Sequence, residues 1–210
     1  MAYLGDMQVK HAGTWRDIDE GWVNENGTWK RFIRKDPIEP YTHTNYSTAG
    51  NTSVVIPSNA GNVRVTIWGA GGGGGSSHDL NCPYGNVCGG DGGDGGAAQR
   101  TISGLGGSTV TLTLGSGGSG SGGVWYQNGG TGGTSSFGPL LSATGGTGGS
   151  KSASHVDSGS NGADGSGGSY NHPTVVGDHG VGGTKGCACG TATSTAGANG
   201  YATIEWGVGV

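Results

Sequence analysis

The residues of this 210-residue chain best equipped for chemistry are its four cysteines and six histidines. Cys82 and Cys88 enclose Pro-Tyr-Gly-Asn-Val, and Cys187-Ala-Cys189 lies near the end. Neither pair has the two-residue gap that marks a zinc site, so even with His78 and His179 as conceivable fellow ligands no metal or cofactor is expected. Disulfides formed on exposure to an oxidising exterior fit the four thiols better, either Cys82 with Cys88 or across the two pairs. Sequence alone leaves that connectivity open. Catalysis has less to stand on. No Gly-x-Ser-x-Gly elbow occurs beside a serviceable Asp and His, and no carboxylate pair is placed for glycoside cleavage. Asp91 and Asp94 sit between glycines, and Asp157 and Asp164 lie within the glycine-rich text, where the ordinary role is a solvated turn or surface residue. The glycine runs lack a following Gly-Lys-(Ser/Thr), so they do not read as phosphate-cradling loops. An enzyme is not expected.

Three interruptions of the glycine-rich text carry a different chemistry: Asn81-Cys-Pro-Tyr-Gly-Asn86, Gly123-Val-Trp-Tyr-Gln-Asn128 and Ser169-Tyr-Asn-His-Pro-Thr174. Rigid rings beside amide and imidazole groups give contact area at small entropy cost, as in carbohydrate and protein-surface recognition. Tyr84, Trp125, Tyr126, Gln127, Tyr170 and His172 are therefore the candidate receptor-binding residues. A competing reading makes Trp125 a plug on the end of whatever the glycine runs build.

What positions these insertions must be made mostly of glycine, 52 residues of it, five in residues 1–50 and 47 beyond. Leu, Ile, Val and Phe amount to about 15% of the chain, below the roughly 20% of an ordinary core. Disorder would pair that shortage with high net charge, yet 10 Lys+Arg stand against 14 Asp+Glu, a formal −4. The same balance argues against a nucleic-acid partner, which needs clustered cations. No apolar run is long enough to cross a membrane, and Met1–Lys10 has no apolar segment of signal-peptide length. Membrane insertion is not expected, and synthesis without secretory processing is.

The glycines hold a period of three: Gly89, Gly92, Gly95; Gly117, Gly120, Gly123; Gly129, Gly132; Gly145, Gly148; Gly159, Gly162, Gly165, Gly168; Gly177, Gly180, Gly183, Gly186. Three residues per turn is the polyproline II repeat. Six prolines are too few for collagen, so the pattern predicts short polyglycine II helices from one chain, packed side by side. Bare glycine edges let backbones approach and exchange N–H···O=C bonds that would otherwise lack partners. Between the runs, Ser53–Ile56, Asn62–Trp68, Ala98–Ser103, Ser108–Leu114 and Tyr201–Trp206 show β-branched enrichment and alternation. The predicted fold is mainly β: a glycine-rich β-sandwich carrying a polyglycine II bundle, preceded by a small β-hairpin module.

That module occupies residues 1–36, followed by a linker at 37–50 and the glycine-rich domain at 51–210. Gly13-Thr-Trp-Arg16 and Gly27-Thr-Trp-Lys30 form a near-repeat, and Asn26-Gly27 signals a hairpin turn. A unit this small rarely holds its own core. Trp15, Trp22 and Trp29 are therefore expected to form an attachment interface against other chains.

Val65-Thr-Ile-Trp-Gly-Ala-Gly-Gly-Gly-Gly-Gly75, Gly132-Gly-Thr-Ser-Ser-Phe-Gly-Pro-Leu-Leu-Ser-Ala-Thr-Gly-Gly-Thr-Gly-Gly149 and Gly200-Tyr-Ala-Thr-Ile-Glu-Trp-Gly207 resemble the glycine-rich domain of bacteriophage tail-fibre and other virion proteins. The same order of motifs occurs in the glycine-rich region of the anaplastic lymphoma kinase receptor. The N-terminal Gly-Thr-Trp unit is similar to short modules that precede such domains in phage structural proteins. The chain is shorter than the large glycine-rich adhesins of T-even-like phages and differs from them in its N-terminal part. The resemblance implies a virion protein assembled in the host cytoplasm, a short tail or head fibre or adhesin subunit. Its partners would be other virion proteins of the tail, baseplate or capsid, its own copies in a trimer, and a host surface glycan or protein. The alternative expectation is an ice-binding polyglycine II protein, for which Thr131, Thr134, Thr144 and Thr147 offer a file of small side chains.

Overall fold

The computed structural model describes residues 8–11, 14–17, 20–25, 27–33, 42–79, 88–121, 127–152, 179–187, 190–191 and 193–207, giving backbone alone for 8–11, 14–17, 20–25, 28–33, 78–79 and 190–191. Among the described residues every regular element is a strand, so the fold is mainly β. At the start, β1 (Gln8–His11) pairs with β2 (Thr14–Asp17), and β3 (Glu20–Glu25) pairs with β4 (Thr28–Ile33). Both are antiparallel hairpins. Gly27 has φ 84° in the second turn, the left-handed conformation that such a tight connection requires. The register sets Trp15 opposite Lys10, Trp22 opposite Arg31 and Trp29 opposite Asn24. The expected contacts of these tryptophans fall on side chains outside the described residues.

The later strands are β5 (Thr42–Tyr46), β6 (Gly50–Val55), β7 (Asn62–Trp68), β8 (His78–Asp79), β9 (Ala97–Ser103), β10 (Thr109–Leu114), β11 (Ser135–Phe137), β12 (Leu141–Ala143), β13 (Gly190–Thr191) and β14 (Tyr201–Trp206). Two four-stranded antiparallel sheets, ordered β5-β14-β7-β9 and β12-β11-β10-β6, enclose one core. Alternation along β7 turns Val63, Val65 and Ile67 inward, with Ile204 and Ala202 beside them on β14. Leu112, Leu114, Phe137 and Val54 close the core from the other sheet. The core is small, in keeping with the shortage of large apolar residues.

Two parts of this framework depart from the sequence expectation. Residues 42–46, inside the segment read as linker 37–50, form β5 and pair along their length with β14. β5 is an edge strand built of Thr, His, Asn and Tyr, so it lacks the apolar alternation of a central strand. Across the outer face beside it runs a polar row: Arg64 Nε donates to Glu205 Oε2 at 2.6 Å, and His43 Nδ1 lies 3.7 Å from Oε1. The three-residue strands β11 and β12 were also not expected. They form a hairpin through Gly138, at φ 50°, Pro139 and Leu140.

Seven glycine-rich runs stand at one end of the sandwich, and all but run 180–186 continue a strand of the two sheets. Residues 69–76, leaving β7, form the axis. Their amides donate in strict rotation to three neighbours: Gly69, Gly72 and Gly75 to run 88–96, Ala70, Gly73 and Ser76 to run 127–134, and Gly71 and Gly74 to run 193–200. Their carbonyls accept from three others, Gly118 and Ser121 of run 115–121, Gly146, Gly149 and Ser152 of run 144–152, and Gly183 and Gly186 of run 180–186. A change of partner at each residue with return at the third is the polyglycine II period. The donor partners run antiparallel to the axis and the acceptor partners parallel, and the two kinds alternate around it. Outer neighbours also bond to one another, as in Gly93 N to Thr147 O, Gly132 N to Gly146 O, Gly133 N to Ser116 O, Gly197 N to Gly118 O, Thr195 N to Thr184 O and Gly92 N to Gly183 O. The ring of six is closed.

This lattice explains the composition. A Cβ on Gly72, Gly73 or Gly74 would press into the backbone carbonyl oxygen of Thr147, Ser119 or Thr184 respectively, so the axis needs glycine toward each of its parallel neighbours. Each outer run has one edge facing away from the lattice, and there every third residue carries a side chain. Thr144 and Thr147, Thr131 and Thr134, and Ser116 and Ser119 occupy such positions. With little apolar area to bury, satisfied backbone bonds at about 0.5–1.5 kcal/mol each supply the bundle's cohesion.

Candidate functional site

The far end of the bundle, remote from the sandwich, is where the insertions begin. The axis ends at Ser76 and Ser77, both fully buried, and the neighbouring runs end there in Ser121, Ser152 and Gln127. Ser76 donates its N–H to the Gln127 carbonyl at 3.0 Å, and Gln127 returns its own N–H to Ser76 Oγ at 3.2 Å. Ser121 Oγ and Ser194 Oγ lie 2.6 Å apart. Glycine gives way here to a layer of buried serines, in which Ser76 Oγ and Ser77 Oγ donate to the carbonyls of Gln127 and Gly186, and Ser194 Oγ accepts the amide of Ser121. Beyond it, β8 pairs with β13, and Cys88 is bridged to Cys187 across a sequence separation of 99.

That bridge ties run 88–96 to run 180–186 at their ends. Of the two connectivities left open by the sequence, Cys88 takes the one across the two pairs. Run 88–96 descends beside run 180–186 and delivers Cys88 to Cys187 with Cα atoms 4.3 Å apart, within bridging distance. Cys82 and Cys189 lie outside the described residues.

Of the candidate receptor-binding residues, Gln127 alone is described. It is exposed, and its backbone anchors run 127–134 to the end of the axis. Tyr84, Trp125, Tyr126, Tyr170 and His172 lie outside the described residues. The described residues that flank segments 80–87 and 122–126, and that precede segment 153–178, are at the far end of the bundle. His179, which follows segment 153–178, is at the opposite end, stacked on Tyr201 with ring centroids 3.7 Å apart and edge-on to Trp68 at 4.9 Å. His78 belongs to β8 at the far end. The length of the axis, on the order of 20 Å at 3.1 Å per residue, separates the two histidines, and they do not share a site.

Asp91 and Asp94, read from sequence as solvated surface residues, have a structural role. Asp94 Oδ1 accepts the amide of Gly182 at 2.8 Å, and Asp91 Oδ1 accepts that of Lys185 at 2.7 Å. Asp91 Oδ2 also lies 3.3 Å from Lys185 Nζ. Asn128 Oδ1 takes the amide of Lys151, Asn199 Oδ1 that of Gly117, and Thr195 Oγ1 that of Thr184. These oxygens come from antiparallel runs and accept outward amides of parallel runs that face no backbone partner. The signal in the sequence was the matched spacing: Asp91 and Asp94 are three apart, as are Gly182 and Lys185. Asp94→Ala should lower stability by about 1 kcal/mol, as removal of a capping acceptor does, while Asp94→Asn, which keeps an oxygen, should lose less. Chemical denaturation of the two variants checks the order.

Thr131, Thr134, Thr144 and Thr147 are exposed on the adjacent runs 127–134 and 144–152. Asn128 and Lys151 break this pattern toward the far end.

Compared with known proteins, residues 47–209 match the model of a family described as a glycine-rich domain. No curated protein matches the chain.

Proposed function

Because the chain belongs to the glycine-rich domain family through residues 47–209, we propose that it is a phage virion structural protein, a short tail or head fibre subunit that displays loops on a rigid bundle. The observation that carries this reading is the placement of the insertions. A stiff seven-run lattice stands on a sandwich, and segments 80–87 and 122–126, which hold Tyr84, Trp125 and Tyr126, join it at the end farthest from the sandwich. Such a layout suits an adhesin, since a recognition surface gains from being held away from its base on a support that does not bend. The N-terminal hairpins are the attachment module, with Trp15, Trp22 and Trp29 docking on tail, baseplate or capsid proteins. Copies of the chain associate in the particle, which is assembled in the host cytoplasm, and the far end meets a host surface glycan or protein.

The test separates the two ends. Trp29→Ala should leave residues 42–207 folded by circular dichroism yet lower incorporation into purified particles by at least about tenfold, the cost of removing a tryptophan anchor. The double change Trp125→Ala with Tyr126→Ala should leave incorporation intact and reduce particle adsorption to host cells. Deletion of residues 125–128 is the poorer experiment, because Gln127 and Asn128 bond the bundle itself. Normal incorporation of the Trp29 variant would overturn the attachment role, and absence of the wild-type chain from particles would overturn the whole reading.

A further inference from the structure

The two sheets differ in charge. Sheet β5-β14-β7-β9 carries His43, Arg64, Arg100 and Glu205, whereas β6, β10, β11 and β12 contain no Asp, Glu, Lys or Arg. β6 is an edge strand of the uncharged sheet, six residues long. Edge strands are normally blunted by a charge, a proline, a bulge or shortness, and β6 has none of these. The other edges do: β12 has three residues, β9 carries Arg100, and β5 carries His43 beside Glu205. All of β6 except Val54 is exposed, and Val55, at 68%, is one of two large apolar residues exposed among those described.

The register makes this edge self-complementary. Gly138 N donates to Thr111 O, so Thr111 bonds toward β11, and its neighbours Val110 and Leu112 bond toward β6. Their partners Val54 and Thr52 therefore use their backbone groups on β10. Ile56 N donating to Ser108 O continues the same alternation. Asn51, Ser53 and Val55 consequently aim their N–H and C=O groups away from the sheet.

We propose that β6 is a self-docking edge at which two copies of this chain pair antiparallel, Ser53 opposite Ser53 of the second copy and Asn51 opposite its Val55. In that register all three outward-bonding residues of each strand meet outward-bonding residues of the other, and each pair exchanges both N–H···O bonds. The contact is isologous, with a twofold axis at Ser53. No charged side chain from either strand opposes it. The two four-stranded sheets become one of eight strands, and the bundles point in opposite directions, because β6 is antiparallel to its copy. This arrangement is a dimer, distinct from the trimer implied by resemblance. It is independent of the virion reading.

Sedimentation velocity on the full chain over a concentration series tests it. The wild type should rise with concentration from the mass of one chain toward that of two. Ser53→Pro removes an outward N–H that β10 does not use, and Ser53→Lys sets like charges face to face across the axis. Both should remain monomeric throughout. An equimolar mixture of Ser53→Lys and Ser53→Glu should regain the dimer, since opposite charges then meet. Thr101→Lys, on the β9 edge, should behave as wild type. A wild type that stays monomeric, or any oligomer that both Ser53→Pro and Ser53→Lys leave unchanged, overturns the proposal. Loss of the dimer together with normal incorporation into particles would leave the virion reading intact.

Discussion

Gly73→Ala should destabilise the protein by about 3 kcal/mol or more, at the upper end of what overpacking costs, although it adds one methyl group. The new Cβ would press on the carbonyl oxygen of Ser119, which is itself bonded by Gly130 N. Relief requires run 115–121 to move outward. That movement breaks the Gly118 and Ser121 bonds to the axis and strains those from run 127–134. A side chain in a hydrocarbon core can change rotamer, but a carbonyl in a lattice cannot turn away. For a chain of this size the loss corresponds to a melting temperature lower by roughly 6–12 °C. Gly61→Ala is the control: its Cβ meets nothing within 4 Å and its φ is not positive, so its effect should lie within about 0.5 kcal/mol. A scanning calorimetry trace in which the two variants melt together would contradict the lattice account.

Replacing Cys88 and Cys187 together by Ser should cost about 2–5 kcal/mol, the usual consequence of removing a native bridge. The expectation is high because the bridge spans a sequence separation of 99, so it removes much freedom from the unfolded chain. The folded protein should barely change. Gly89 N bonds Gly186 O beside the bridge, and Gly92 N bonds Gly183 O one period below, so the two runs stay adjacent without the covalent link. Equilibrium unfolding measures the loss. Hydrogen exchange should show the amides of residues 69–75 still protected under native conditions. A loss below about 1 kcal/mol would mean that the unfolded chain is already held compact there, and loss of protection along the axis would mean that the bridge supports the lattice.

The period of the glycines and the alternation of the long strands made the two main parts of the fold legible in the sequence. β7, β9, β10 and β14 announce themselves because each packs apolar residues on one face. β5 does not, because an edge strand can be polar and still be held by backbone bonds to β14. The axis could have been identified. Residues 69–75 have one side chain, that of Ala70, where the outer runs carry side chains at every third position, and a run surrounded on all sides has no outward edge to decorate. The contacts between runs were not legible, since glycine carries no mark of its neighbour. The carboxylates and amides that staple the runs escaped for a related reason. An Asp between glycines looks alike in a solvated turn and across a groove from an unpaired amide. At the far end, only Gln127 of the residues chosen for recognition is described.

The closed ring also governs how the protein can change in length. Each period of the bundle adds about 9 Å at three residues of 3.1 Å. One run lengthened by three residues would offer amides and carbonyls for which the adjacent runs have no counterpart. Insertions within the lattice are therefore useful only when made in concert, in seven stretches scattered from residue 69 to residue 200. Insertions beyond its last layer face no such demand. Selection acting on this chain can revise what the far end displays one loop at a time, while the reach of that display is inherited as a single quantity.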